Sequence, residues 1–231
     1  MKIAILGAMD EEITLIRASL KNCQEKHFNH LTVYIGKLGE VDVALVKCGI
    51  GKVAASVSTS VVIHHFAPDF VINTGSAGGF SSHLNIGDIV IANELRHHDA
   101  DLTHFGYEFG QTAGMPAYFE CDKVLLEHAS NAATSLKDIQ VQQGLICTGD
   151  SFVGSDEAAD VIRQNFPAVC AVEMEGVAIA QSCHLLGTPF LVIRSLSDIA
   201  GKTSTVSFET YLDHAAKNSA TLVIQTIAKL A

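Results

Sequence analysis

Two hydrophobic periods alternate along the chain. Short apolar, β-branched runs end in acidic, Gly or Asn residues at Lys2–Leu6, Val41–Lys47, Phe70–Asn73, Asp88–Ala92, Gly144–Cys147 and Phe190–Arg194. Each predicts a buried strand. Between them, apolar residues recur at helical spacing over Glu11–Leu20, Lys52–His65, Lys123–Leu136, Asp156–Asn165, Glu175–Leu186 and Phe208–Leu230. Strand and helix thus largely alternate. This predicts a three-layer α/β/α fold with a central mixed, mostly parallel twisted sheet. The mixed character comes from Leu31–Ile35 and Val41–Lys47, which read as a hairpin across Gly36–Glu40. No internal repeat or Pro/Ser-rich linker interrupts the pattern, so residues 1–231 are expected to form one domain. The stretch Arg96–Phe119 lacks periodicity and is rich in His and aromatics; a loop of that length is expected to serve function or an interface.

Composition narrows the function classes. Of 231 residues, 48% are hydrophobic, enough for a sizeable core. A net charge of −10 argues against binding a nucleic-acid backbone, which needs clustered Lys and Arg. A small uncharged or cationic substrate suits it better. Cys23, Cys48, Cys121, Cys147, Cys170 and Cys183 form no CxxC pair and mostly lie in apolar runs; they are expected to be core residues in a reducing compartment. The apolar start after Met1 stops at Asp10, too short for a signal segment, and no run approaches a membrane span. A soluble cytoplasmic protein is expected.

In open α/β sheets ligands gather beyond the carboxyl ends of strands. Four such ends stand out: Gly7–Glu12, Thr74–Gly79, Ala171–Gly176 and Arg194–Asp198. Three deliver carboxylates and the other glycines. Asp10, Glu11 and Glu12 have an ordinary explanation as an N-cap and first-turn acids. Glu173 and Glu175 have a similar one, and two apart on a helix they would point about 200° from each other, so at most one could face a given site. Asp198 is harder to dismiss, because it follows a strongly apolar strand.

Sharper motifs fail on inspection. Gly49-Ile50-Gly51-Lys52-Val53-Ala54 has the GxGxxA form of a dinucleotide turn, but the next strand ends in Asn73 rather than an acid. A phosphate loop would need Gly at Val46 and Ser or Thr at Val53. Thr74–Gly78 resembles a nucleophile elbow without its first glycine, and no later Asp and His pair is evident. His97, His98, Asp99, Asp101 and His104 are possible ligand types without metal-site spacing. No metal or other cofactor is expected.

Taken together, six blocks in order carry a resemblance: Gly7–Glu12, Cys48–Ala55, Asn73–Gly79, Gly149–Phe152, Val172–Glu175 and Arg194–Asp198. The chain resembles, nearly end to end, the 5′-methylthioadenosine/S-adenosylhomocysteine nucleosidases, hydrolytic members of the nucleoside phosphorylase superfamily. The resemblance implies cleavage of an N-glycosidic bond to release adenine, in methionine salvage and recycling of S-adenosylmethionine by-products. Asp198 would protonate adenine N7, oriented by Ser197, with burial raising its pKa. Glu12 would take a proton from water. Glu175 would bind the ribose hydroxyls, with Glu173 its structural twin and Arg194 pairing nearby. Phe152 would stack on adenine and the backbone at Val153 would read its edge. Ser76, Ala77 and Gly78 would line base and sugar, and Met9, Ile50, Met174 and Phe208 would wall the alkylthio group. A homodimer is implied, with Leu102 and Phe105 closing the partner's pocket, and Ala113 stands where close relatives are expected to carry proline.

Other readings share these residues. A phosphorylase would need arginines around phosphate, and Gly7–Glu12 and Asn73–Gly79 contain none. A non-catalytic nucleoside-binding module on the same fold would not need a proton donor or a water base.

Overall fold

The computed structural model describes residues 1–201 and 204–230. Strands β1 (Lys2–Gly7), β2 (Lys21–Phe28), β3 (Leu31–Leu38), β4 (Val41–Lys47), β5 (Phe70–Gly79), β6 (Ile89–His97), β7 (Phe119–Glu120), β8 (Val141–Thr148), β9 (Val169–Glu173) and β10 (Phe190–Ile199) form one mixed sheet. Helices α1 (Asp10–Ser19), α2 (Lys52–Phe66), α3 (Lys123–Ala133), α4 (Asp156–Asn165), α5 (Gly176–Leu186) and α6 (Ser204–Leu230) cover it. The order is β10-β6-β8-β9-β5-β1-β4-β3-β2, with β7 on β6, and β10 also pairs with β5. Five strands, β10-β6-β8-β9-β5, therefore close into a ring while the rest continues as an open sheet. Parallel pairing runs through β4-β1-β5-β10 and β6-β8-β9. The expected hairpin pairs β3 with β4 antiparallel. Helix α2 packs on α5, and α1 and α3 pack on α6.

Local chemistry sets the helix ends. The Asp122 carboxylate accepts from Leu125 N at the start of α3, and Ser155 Oγ accepts from Ala158 N at the start of α4. Gly187, at φ 68°, ends α5 in the left-handed region that glycine tolerates. Met9, not Asp10, precedes α1, and Asp10 is an exposed first-turn residue paired with Lys47 at 2.9 Å.

Four elements depart from the expected pattern. Strand β2, Lys21-Asn22-Cys23-Gln24-Glu25-Lys26-His27-Phe28, has no buried face and so gives no hydrophobic period; β3 is its strand partner, and its charges suit an exposed edge. Its Cys23 is exposed, unlike the other five cysteines, which are buried and free. Ala171–Glu173, read from the sequence as the opening of a helix within Ala171–Gly176, belongs instead to the fully buried strand β9 between β8 and β5. Strands β5 and β10 run to Gly79 and Ile199, paired in parallel along that whole length. Thr74–Gly79 is thus strand rather than a loop beyond one. No helix among the described residues is long and apolar enough to cross a membrane.

Candidate active site

A cavity of about 290 Å³ opens where β1, β4, β8 and β9 end and β5, β10 and the start of α6 meet. Every residue named for this chain's own pocket lines it: Met9, Glu12, Ile50, Ser76, Ala77, Gly78, Phe152, Val153, Met174, Glu175, Arg194, Ser197, Asp198 and Phe208. Ala8, Ser151, Val172 and Glu173 join them. Leu102 and Phe105 lie outside it, Phe105 being 73% exposed.

Glu12 is 1% exposed despite sitting in the first turn of a surface helix. Its Oε2 accepts from Ala8 N at 2.7 Å and Met9 N at 3.3 Å, and its Oε1 from Ser76 N at 2.9 Å and Ser76 Oγ at 3.1 Å. One carboxylate thus both caps α1 and lines the cavity. Its approach depends on Gly75, where a β-carbon would fall 2.5 Å from Glu12 Oε1 and 2.6 Å from Arg194 Nη1.

Arg194 is 1% exposed and is the hub of one end of the cavity. Its Nη2 lies 2.6 Å from Glu173 Oε2, 3.3 Å from Glu175 Oε2 and 2.6 Å from Asn73 Oδ1, and its Nη1 donates to Ser76 O at 3.0 Å. Both glutamates reach the cavity, contrary to the expectation that at most one could. The helical spacing does not apply, because Glu173 ends β9 and Glu175 is the non-helical residue before α5. Glu173 Oε2 also accepts from Glu175 N and Gly176 N, so it caps α5, and its Oε1 takes a hydrogen bond from Thr148 Oγ1.

The glycine turn of the GxGxxA segment has a related use. Gly49 and Gly51 have φ of 80° and 93°, and Gly51 N donates to Glu175 Oε1 at 2.8 Å. The next amide, Lys52 N, donates to Asp150 Oδ1 at 2.7 Å. The N-terminus of α2 is therefore occupied by the protein's own carboxylates, where a phosphate loop would bind phosphate. Burial raises the Glu175 pKa, with the Glu173 charge adding to the effect and Arg194 and the Gly51 amide opposing it. For Arg194, burial works against the cation, but Glu173, Glu175 and Glu12 outweigh it and hold its pKa above the ordinary value.

Asp198 occupies a different environment on the same strand. The register of β10 against β5 slips between Leu196↔Ala77 and Asp198↔Gly78, leaving Ser197 as a bulge. A regular strand would send Ser197 and Asp198 to opposite faces; the bulge lets both line the cavity. Ser197 Oγ donates to Asp198 Oδ1 at 2.9 Å. A β-carbon on Gly78 would lie 3.2 Å from Asp198 Oδ2, close to Val172 and Ala200. Burial raises the Asp198 pKa, and the Ser197 hydrogen bond only partly offsets it. Phe152 and Phe208 face each other edge to face at 5.8 Å.

Sequence reasoning underrated Asn73 and Gly51, which anchor Arg194 and Glu175 without lining the cavity. Their signal lay in Asn at a buried strand end and in a glycine turn with no nucleotide partner. His97 and His98 are buried, with pKa values lowered chiefly by burial. Among the described residues no group of three His, Cys, Asp or Glu is arranged to hold a metal ion.

Comparison with known proteins agrees with this geometry. Residues 2–228 match the phosphorylase superfamily. A 5′-methylthioadenosine/S-adenosylhomocysteine nucleosidase of Geobacillus sp. (strain WCH70) is 52% identical over 230 residues, covering 100% of this chain and 99% of that one. The crystal structure of the Neisseria meningitidis nucleosidase in complex with methylthio-immucillin-A superposes with a TM-score of 0.97 at 46% identity, covering 98% of both chains. That of the Colwellia psychrerythraea 34H nucleosidase in complex with adenine does so with a TM-score of 0.98 at 47% identity, covering 100% of this chain and 96% of that one. With its fold and nearly its whole length shared with these proteins, the chain belongs to the 5′-methylthioadenosine/S-adenosylhomocysteine nucleosidases of the phosphorylase superfamily.

Proposed function

We propose that this chain hydrolyses the N-glycosidic bond of 5′-methylthioadenosine and S-adenosylhomocysteine, and also of 5′-deoxyadenosine, releasing adenine and the 5′-substituted ribose. It acts in methionine salvage and the recycling of S-adenosylmethionine by-products. The observation that carries the reading is the convergence of Glu12, Glu175 and Asp198, from three distant chain segments, on one cavity.

Bond cleavage leaves electron deficiency on the sugar and negative charge on the base. Asp198 donates its proton to adenine N7, so the C1′–N9 electron pair departs on a neutral base, and Ser197 fixes the carboxyl's orientation. The water oxygen bonds to C1′ while its proton passes to Glu12, whose four donors hold it in place. Asp198 is then ionised and Glu12 protonated, and exchange with solvent resets both. Glu175 takes the ribose hydroxyls and its charge supports the cationic sugar. Phe152 stacks on adenine, and the backbone at Val153 reads the base edge. Ser76, Ala77 and Gly78 line base and sugar, while Met9, Ile50, Met174 and Phe208 wall the 5′ substituent.

Water is the nucleophile rather than phosphate. Among the described residues lining the cavity Arg194 is the one cation, and Glu173, Glu175 and Asn73 engage it. Adenine release from 5′-methylthioadenosine should proceed at full rate in phosphate-free buffer; a requirement for phosphate would overturn the assignment.

The working form is a cytoplasmic homodimer of one-domain subunits. Exposed Val53 and Val57 on α2 and Leu185 on α5 supply an apolar face, and Leu102 and Phe105 close the partner's pocket. The buried free cysteines suit a reducing compartment.

A further inference from the structure

Beside the cavity lies a ring of polar contacts that the reaction itself does not use. Lys52 Nζ sits 2.7 Å from Asp99 Oδ1 and 2.8 Å from Asp99 Oδ2. Asp99 Oδ2 accepts from Asp150 N at 2.9 Å, and Asp150 Oδ1 accepts from Lys52 N at 2.7 Å. The ring closes through three segments distant in sequence: the start of α2, the residues after β6 and the residues after β8. One chain position from it, Gly51 N holds Glu175. Two positions on from Asp150 is Phe152, on the cavity wall.

Packing leaves this ring little slack. A β-carbon on Gly51 would lie 3.1 Å from Asp150 Oδ1, and one on Gly149 would overlap the His98 imidazole. His98 N in turn donates to Thr148 O at 2.9 Å. Side-chain exposure is 22% for Lys52 and 29% for Asp99, well below that of a free surface pair. Burial works against the Asp99 charge, but Lys52 and the Asp150 amide outweigh it and hold its pKa below the ordinary aspartate value. An exposed pair of this kind would contribute little to stability and nothing to turnover.

We propose that Lys52 and Asp99 are positioning residues, which through Asp150 hold the Gly51 amide on Glu175 and the Asp150–Val153 segment in fixed relation, so that ribose and base are gripped together. The inference rests on the functional reading above. Losing the ring lets the Gly51 amide drift from Glu175, whose carboxylate then lacks a donor that favours its ionised form. The other charged groups acting on Glu175 stay in place: Arg194 on β10, Glu173 on β9 and Glu12 on α1, while burial holds the nearby Cys48 thiol neutral.

The test is steady-state kinetics of Asp99→Asn, Lys52→Met and the double variant on 5′-methylthioadenosine across pH, with thermal unfolding alongside. Each single variant should raise KM about tenfold, as expected for a lost charge-assisted hydrogen bond. Each should also move the acid limb of kcat/KM to higher pH, which a purely structural pair would not do. The double variant should lose no more than either single one. Unmoved KM and acid limb in whichever single variant folds, or additive losses in the double variant, would overturn the proposal. The wild-type control separates the failures: an inactive wild type overturns the functional reading and this inference with it, whereas an active wild type with unmoved variants overturns the ring alone.

Discussion

The two ends of the cavity meet on one strand, four residues apart, and surround their acids with different donors. At Arg194 every buried carboxylate has charged or amide donors: Glu173 and Glu175 share the guanidinium, and backbone N–H groups of Gly51, Glu175 and Gly176 fill further positions. At Asp198, Oδ1 accepts from the neutral Ser197 hydroxyl, and a β-carbon on Gly78 would lie 3.2 Å from Oδ2. Burial raises the pKa at both ends, of Glu175 as of Asp198; what differs is the set of donors, a cation and an amide opposing the rise at Glu175 and a neutral hydroxyl at Asp198.

That contrast can be broken at either end. The largest effect is expected at the proton donor: Asp198→Asn should lower kcat about 10²–10⁴-fold while an uncleaved analogue still binds, and Glu12→Gln should act similarly through the water. Turnover assays and analogue titration check this, and wild-type rates in both variants would contradict the roles. Next, Arg194→Met should destabilise the fold by about 3–5 kcal/mol, because two carboxylates stay buried without their cation. An unchanged denaturation midpoint would mean that Arg194 does not compensate them. Phe152→Ala should weaken adenine binding by about 1–3 kcal/mol in calorimetry, the range for loss of a base-stacking ring. The smallest effect is on stability against pH. The Asp198 pKa is raised in the folded chain, so the stabilisation from its proton is full below the unfolded value and is lost as pH rises through the folded one. Asp198→Asn should therefore unfold at a higher temperature than wild type at alkaline pH, and the gain should vanish below about pH 4.

The sequence made the buried elements and the cavity residues legible for a physical reason. Strands such as Lys2–Gly7 and Val41–Lys47 bury nearly all their side chains, so their apolar runs show directly, and the acids follow at their ends. β2 is hidden from sequence because it forms by backbone pairing to β3 with almost no side chain buried, which leaves no hydrophobic period. Helical spacing does not predict the joint placement of Glu173 and Glu175, because one ends a strand and the other caps a helix. The Ser197 bulge was equally hidden: a register slip depends on Gly78 and Ala77 of the neighbouring strand, and nothing local to Leu196-Ser197-Asp198 encodes it. Non-local pairing, then, placed the residues that local pattern could only nominate.

The central claim is that the fold keeps Asp198 nearer its protonated form than an ordinary aspartate while the acids at Arg194 are matched with donors. A ¹³C NMR titration of carboxyl-labelled aspartates in the ligand-free enzyme tests it, with the Asp198 signal identified by its loss in Asp198→Asn. A titration midpoint clearly above the ordinary aspartate value of about 3.9 is the predicted result. A midpoint at or below that value would contradict the account.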